Sequence, residues 1–286
     1  MKWLKGILDF LFYGNFWIAL CAFALILQTE YLETHKLILT DYSLFVFFST
    51  SFLYGIHRIL GLKKLSSFLD KGRFVTINYR KTHILIISIL AGAAAAWFYW
   101  QLDVKTKMGL LIPAVLSLGY VFPILGPYGR LRDLNYVKIF LIAFIWSAVT
   151  STLPFIELGG TNHWFAALMF VERALFVFAI TIPFDIRDYS IDSYSEVKTF
   201  PITLGIRKSI QLAAVLLIIM VALVFVQGYL GFYSSGAMVG LSLSAALTYF
   251  FILKSPEVTH DYYFTGLMDG TMILQAILTI FFAWFV

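Results

Sequence analysis

The stretch from Pro183 to Gly205, PFDIRDYSIDSYSEVKTFPITLG, carries three aspartates, Asp185, Asp188 and Asp192, spaced by three residues and then four. At about 100° per residue, these positions fall within about 60° of one another on a helix. Three carboxylates on one face repel one another unless a cation lies between them. A hard divalent cation such as Mg²⁺ takes oxygen ligands and commonly reaches a protein through carboxylates while also holding substrate phosphates. Lys198 follows after a short turn and adds a point charge for the same phosphate. The plainer reading is a solvated acidic helix end. At the end of a membrane span, however, ionisable residues are costly and usually functional. Asp185, Asp188 and Asp192 are therefore the candidate metal ligands and the candidate catalytic residues.

A second set of residues is cationic. In STSFLYGIHRILGLKK, Ser51, Tyr54, His57, Arg58 and Gly61 recur at three- and four-residue spacing, so one face is polar within an otherwise apolar helix. Either Arg58 reaches to the interface and His57 is a satisfied bundle histidine, or the face touches a phosphate. Further along, GYVFPILGPYGRLRDLNYVK adds Arg130, Arg132 and Lys138 around a tight Gly-Pro turn. A general excess of basic residues on one side of a membrane explains these charges equally well. Two other ionisable sites lie within apolar stretches. Glu172 and Arg173 sit about 18 Å along a helix from Asp185 and read as an ion pair or as side chains reaching for the far face. Asp269 reads as reaching the nearer interface.

The elements that carry these residues are set by composition. The chain has 286 residues, 60% of them hydrophobic and 13% charged, with a mean hydropathy of +0.86. Soluble domains carry about 25% charged residues, so this is an integral membrane protein. About 20 apolar residues cross a bilayer core, which places spans at roughly 14–30, 42–60, 82–101, 108–125, 137–156, 165–184, 208–228, 236–253 and 265–285, the fourth being the shortest. No stretch shows the ten-residue alternation of a membrane β-barrel. The expectation is an all-α bundle of about nine transmembrane helices forming a single domain over residues 1–286, without low-complexity tracts or a cleavable signal peptide. Its single cysteine, Cys21, forms no intrachain disulfide. The net charge of +5 does not point to nucleic acid, because the basic residues crowd into one set of loops. That set holds seventeen Lys and Arg, among them Arg58, Arg130, Arg132, Arg187 and Lys198, and the opposite set holds only Lys36, Lys105 and Lys107. The bias places the N-terminus in the cytoplasm, the C-terminus outside and the aspartates on the cytoplasmic face of the cell (inner) membrane. The two longest loops, about 61–81 and 185–207, then share that face, which suggests two half-sites over one cavity.

Nine helices with an N-in bundle, and FDIRDYSIDSYSEVKTFPITLG at the inner end of the sixth, resemble the UbiA-type intramembrane prenyltransferases. The resemblance covers nearly the whole chain. Its most specific part is the likeness of this stretch to the family's second aspartate-rich motif with its following Lys-Thr-x-Pro and Leu-Gly. It implies that Asp185, Asp188 and Asp192 hold Mg²⁺ bridging to a prenyl diphosphate, that Lys198 supports the phosphate, and that Tyr120, followed by Pro123, belongs to the family's Tyr-led motif before the fifth helix. Two departures stand out. Where the family keeps an Asn and aspartates at the inner end of the second helix, this chain has Tyr54, His57 and Arg58 and no carboxylate. Ile124 occupies the position of the Lys that closes the Tyr-led motif.

The resemblance implies transfer of a prenyl group from its diphosphate to an acceptor. Metal and basic residues neutralise the leaving diphosphate in a water-poor site, and aromatic faces stabilise the allylic cation. His57 and Arg58 exchange metal-bridged phosphate binding for direct contact by protein cations, a task suited to the planar fork of Arg. Arg130 and Arg132 are further candidates for the same contact. The partners expected are a prenyl diphosphate or related lipid phosphate and membrane lipids. Two alternatives remain: a family member with altered or lost chemistry that binds a lipid (di)phosphate, and a transporter. A transporter more often has helices interrupted near the bilayer midplane. The orientation is directly testable. In a background lacking Cys21, an impermeant thiol reagent applied from outside is expected to label cysteines at Thr161 and Ser234, and labelling at Ser195 would overturn the orientation.

Overall fold

A computed structural model of the chain describes residues 2–64, 73–124, 126 and 129–285. Among these residues nine helices are long and apolar enough to cross a membrane: Phe16–Thr34, Asp41–Leu62, Lys81–Gln101, Val104–Val121, Val137–Glu157, His163–Arg187, Ile206–Tyr229, Ser235–Glu257 and Tyr263–Trp284. They are called the first to ninth spans below. No strand occurs among the described residues. More than half of the residues of the first, fifth and sixth spans are buried, and fewer than a third of those of the second, third, fourth and seventh. Exposed apolar residues such as Ile86, Ile89 and Leu90 of the third span are lipid-facing rather than misplaced core.

Boundaries differ from the sequence expectation where local chemistry stops a helix. A separate helix, Lys2–Tyr13, precedes the first span. It is divided from it at Gly14 and Asn15, and Asn15 holds a left-handed φ of 66°, a conformation that Asn tolerates better than most residues. The fourth span lies four residues before its expected position of 108–125. Asp103 caps its start by accepting from the Lys105 amide at 3.1 Å. At the other end Pro123 forces Phe122 into an extended conformation (ψ 148°), so the helix cannot pass Val121. The loop expected at 61–81 holds a helix, Arg73–Tyr79, and its residues 65–72 lie outside the described ones. The loop at 185–207 contains two short helices, Tyr189–Tyr194 and Phe200–Leu204.

Two spans contain a π turn, Ala148–Thr152 in the fifth and Tyr263–Met268 in the ninth. A π turn releases carbonyls from the regular ladder, and hydrocarbon offers them no water. Polar side chains of other spans supply donors instead. Tyr42 donates to the Val149 carbonyl at 2.6 Å, Thr29 to Thr150 at 2.7 Å, and Trp17 to Gly266 at 2.8 Å. The first span thereby fixes both irregular turns.

Glu172 and Arg173 form neither the ion pair nor the interface-seeking arrangement that the sequence suggested. Each is 1% exposed. Adjacent residues on a helix point in different directions, and their partners differ accordingly. Glu172 accepts from Gln227 at 2.6 Å and Tyr233 at 2.8 Å, both contributed by the seventh span and the turn after it. Arg173 donates to Gln28 at 3.0 Å, to Thr150 and to the Leu25 carbonyl.

The eighth and ninth spans meet through Gly236 and Gly240. A Cβ at Gly240 would lie 2.5 Å from the Leu278 carbonyl oxygen, and small residues are what let membrane helices approach this closely. Gly240→Ala is expected to cost about 1–3 kcal/mol by overpacking. Thermal unfolding in detergent measures this, and an unchanged midpoint would show that the two helices can move apart freely.

Candidate functional site

Apart from Glu172 and Arg173, the charged residues singled out in the sequence lie toward one end of the bundle. The chain segments that place them are stitched together first. Asn135 accepts from the Lys198 amide at 2.8 Å, and the Lys198 carbonyl accepts from the Tyr136 amide at 3.0 Å. Tyr136, with a left-handed φ of 62°, then opens the fifth span. This pair of bonds holds the loop after the sixth span against the start of the fifth, and so brings Lys138 to the aspartates.

Lys138, 7% exposed, reaches Asp185 Oδ1 at 2.6 Å and lies 3.8 Å from Asp192 Oδ2. Asp185 is 1% exposed. The aspartates do not all lie on one continuous helix. The sixth span ends at Arg187, Asp188 is the junction (φ −90°, ψ 9°), and Asp192 belongs to the next helix. Asp185 and Asp192, on either side of that junction, both approach the Lys138 ammonium. Asp188 is turned aside and takes both donors of Arg187, at 2.9 and 3.1 Å. Arg187 also binds Asp261 at 3.1 Å and lies over the rings of Phe184 and Phe264. Tyr13 donates to the second oxygen of Asp261.

The cationic residues form a second cluster. Arg132 donates to His57 Nε2 at 2.5 Å and its guanidinium lies 5.1 Å from the centre of the Tyr120 ring. His57 and Tyr120 are themselves neighbours, with ring centres 5.6 Å apart. The Arg donor requires an unprotonated Nε2, so His57 is the neutral tautomer with its proton on Nδ1. Arg132 thus has neutral partners among the described residues, and Asp188, Asp133 and Asp192 face it at longer range. Arg130 serves its own loop: it binds Asp133 through two guanidinium nitrogens, at 3.0 and 3.1 Å, and closes the turn Leu131–Asp133. The Arg58 guanidinium lies 5.4 Å from the centre of the Tyr13 ring. The Lys198 side chain is exposed.

From this end a cavity of about 440 Å³ runs into the bundle. His57, Tyr120 and Tyr54 line its charged end, Trp146, Phe45 and Phe52 its walls, and Tyr99 and Lys107 its far end. Lys107 to Tyr120 along the fourth span is about 20 Å. Ligand sites are commonly concave, mostly apolar and marked by a few convergent polar groups, and this cavity has that character.

The same frame occurs in solved structures. The chain aligns over 94% of its length, and 95% of the other, with a UbiA homologue from Archaeoglobus fulgidus bound to DMAPP and Mg²⁺, at a TM-score of 0.59 and 15% identity. The chain has a UbiA-type fold. An apo UbiA homologue from Aeropyrum pernix K1 gives a TM-score of 0.61 at 11% identity, covering 92% of this chain and 96% of that one. A digeranylgeranylglyceryl phosphate synthase aligns over the full length of both chains at 0.59 and 14% identity. No protein-family model matches the sequence, and no curated protein matches it.

Within this UbiA-type fold, the Mg²⁺ expected on the aspartates does not fit the donor set. Asp185 is taken by an ammonium group at hydrogen-bond distance, and Asp188 spends both oxygens on Arg187. Among the described residues, no group of three His, Cys, Asp or Glu is placed to hold a metal ion. Sequence reading identified Asp185 and Asp192 but passed over Lys138 as their partner. The one available signal was a basic residue in the first turn of an apolar helix, where it is nearly buried.

Burial pushes the Asp192 carboxyl above the usual range, the neighbouring Asp188 and Asp185 add to this, and Lys138 opposes it. A carboxyl whose pKa is higher in the folded than in the unfolded state costs stability once it ionises, so the cost appears as pH rises through that window. Asp192→Asn removes it. The variant is therefore expected to gain on the native protein in melting temperature as pH rises above the usual carboxylate range. A difference that stays constant over that rise would show that Asp192 is not held in this way.

Proposed function

We propose that this protein binds a prenyl diphosphate, or a related lipid phosphate, with its apolar chain in the cavity and its phosphate at the His57–Arg132 end, and that it transfers the prenyl group to an acceptor. One observation carries the reading: an apolar cavity of about 440 Å³ is lined at one end by His57 and Tyr120, and behind them lies the Arg132 guanidinium, whose hydrogen-bond and ring partners among the described residues are these two neutral groups. An anion completes the hydrogen bonding of Arg132, and the planar fork of Arg suits phosphate oxygens. His57, neutral and with a proton on Nδ1, offers a further donor, since that nitrogen is buried and has no hydrogen-bond partner among the described residues. The solved UbiA homologues bound to DMAPP and to GPP with Mg²⁺ support the ligand class.

Transfer follows from the same arrangement. The allylic C–O bond breaks with its electron pair leaving on the diphosphate, where Arg132 offsets the added charge. The cationic carbon is then held among Tyr54, Tyr120 and Trp146, whose ring faces stabilise positive charge. The acceptor nucleophile supplies the electrons for the new bond and gives up its proton to the released pyrophosphate. Orientation with the charged end toward the cytoplasm, and one domain across the chain, belong to the same proposal. A second reading, binding without turnover, is favoured by the Lys138–Asp185 pair, which already satisfies the carboxylate that family members are expected to use. Release of pyrophosphate from a labelled prenyl diphosphate separates the two.

Arg132→Ala is expected to weaken binding of geranyl diphosphate by about 1.5–3 kcal/mol, the range for a hydrogen bond to a charged group, and Arg132→Lys to restore part of it. Titration of detergent-purified protein measures both. Native affinity in Arg132→Ala would remove the phosphate from this end of the cavity.

A further inference from the structure

Lys138 stands where a divalent cation would have to stand. Its ammonium group lies between Asp185 Oδ1 at 2.6 Å and Asp192 Oδ2 at 3.8 Å, on side chains 9%, 2% and 13% exposed. Mg²⁺ requires near-octahedral oxygen ligands at about 2.0–2.1 Å, so it can take these two carboxylates only by expelling the ammonium. Among the described residues, the ion partners of that ammonium are these same two carboxylates. Lys138 lies in the first turn of the fifth span, held there by the Asn135–Lys198 and Tyr136–Lys198 bonds. Stripping one partner from a buried ion pair leaves a charge uncompensated, which is strongly destabilising. The third carboxylate is no easier to recruit, because Asp188 is engaged by a guanidinium that is itself shared with Asp261.

We infer that Lys138 is a built-in cation that takes the place of a metal ion between Asp185 and Asp192, so that this protein engages a phosphate ligand without a divalent metal. The ligand class rests on the function proposed above; the exclusion of metal does not. The absence of any carboxylate at the end of the second span agrees with it. A diphosphate held between two acidic clusters needs metals to bridge like charges, whereas here the opposite wall presents His57 and Arg132, which contact an anion directly. Lys138 is a positioning residue: it keeps Asp185 and Asp192 neutralised and so removes their repulsion from a phosphate bound at Arg132.

Two measurements test this. The first uses Mn²⁺ alone, followed by electron paramagnetic resonance on detergent-purified protein. Lys138→Met is expected to bind Mn²⁺ about tenfold or more tightly than the native chain, the scale on which neighbouring groups tune metal sites, and Lys138→Arg is expected to behave as native. Equal Mn²⁺ binding by the native chain and Lys138→Met, whether tight or absent, overturns the role of Lys138. The second uses the native chain only, and so survives a failure of Lys138→Met to fold. Geranyl diphosphate is titrated in EDTA and again in Mg²⁺, with affinities expected to agree within about twofold, a difference below the 1.4 kcal/mol that a tenfold change represents. Loss of binding in EDTA overturns metal-free engagement. Absence of binding in both buffers instead removes the prenyl diphosphate ligand, while the Mn²⁺ result still decides what occupies the aspartates.

Discussion

In hydrocarbon there is no water to complete a hydrogen bond, so each polar group in the bundle must find its partner inside the protein. This constraint accounts for most of the irregular features. The π turns of the fifth and ninth spans leave carbonyls exposed, and Tyr42, Thr29 and Trp17 answer them from other helices. Glu172 and Arg173 are drawn into separate sets of neutral partners rather than toward the interface. The fifth span gains most from this. Its π turn, pinned by the first and second spans, sets the wall from which Trp146, Val149 and Thr150 line the cavity. The same span begins with Lys138, so one helix fixes both the apolar wall and the ion pair at the charged end.

The same constraint governs the charges at that end. Four aspartates, Asp185, Asp188, Asp192 and Asp261, would be untenable together without cations of similar reach. Lys138 takes two of them and Arg187 the other two. What is left over is Arg132, whose hydrogen bond and ring contact are with neutral groups. Charge compensation within the acidic cluster therefore does more than stabilise it. It lowers the repulsion that Asp188 and Asp192 would exert on the anion proposed to bind at Arg132.

The fold was largely legible because its signals are local. Runs of about 20 apolar residues locate spans wherever they lie, and the nine expected spans correspond one for one to those found among the described residues. Boundaries erred where a single residue overrode hydropathy: Pro123 ended the fourth span early, and the Gly14–Asn15 break set Lys2–Tyr13 apart from the first. The site was legible in part. The three- and four-residue spacing of the aspartates marked them as a group, and the polar face through Tyr54 and His57 marked the cavity's charged end. What could not be read was who meets whom. His57 and Arg132 are 75 residues apart, and Lys138 and Asp185 are 47 apart. A basic residue beside a membrane span has an adequate explanation in topology alone, so nothing in the sequence singled out Arg132 over Arg130, or Lys138 over Lys198.

Arg130 and Arg132 show how much the final arrangement depends on loop geometry rather than charge. They are two residues apart, Arg130 preceding the turn Leu131–Asp133 and Arg132 within it, and they meet different partners. Arg130 closes that turn on Asp133, and in doing so fixes the backbone from which Arg132 projects to His57 and Tyr120. Leu131 between them packs onto Gly119, where a side-chain Cβ would lie 2.6 Å from its methyl carbon. The turn is thus locked against the end of the fourth span, the helix that also carries Tyr120. The Arg132 guanidinium and the Tyr120 ring beside it are held by the same small piece of structure. Their separation is therefore set by packing and does not wait on a ligand, which is what direct recognition of an anion by protein cations requires.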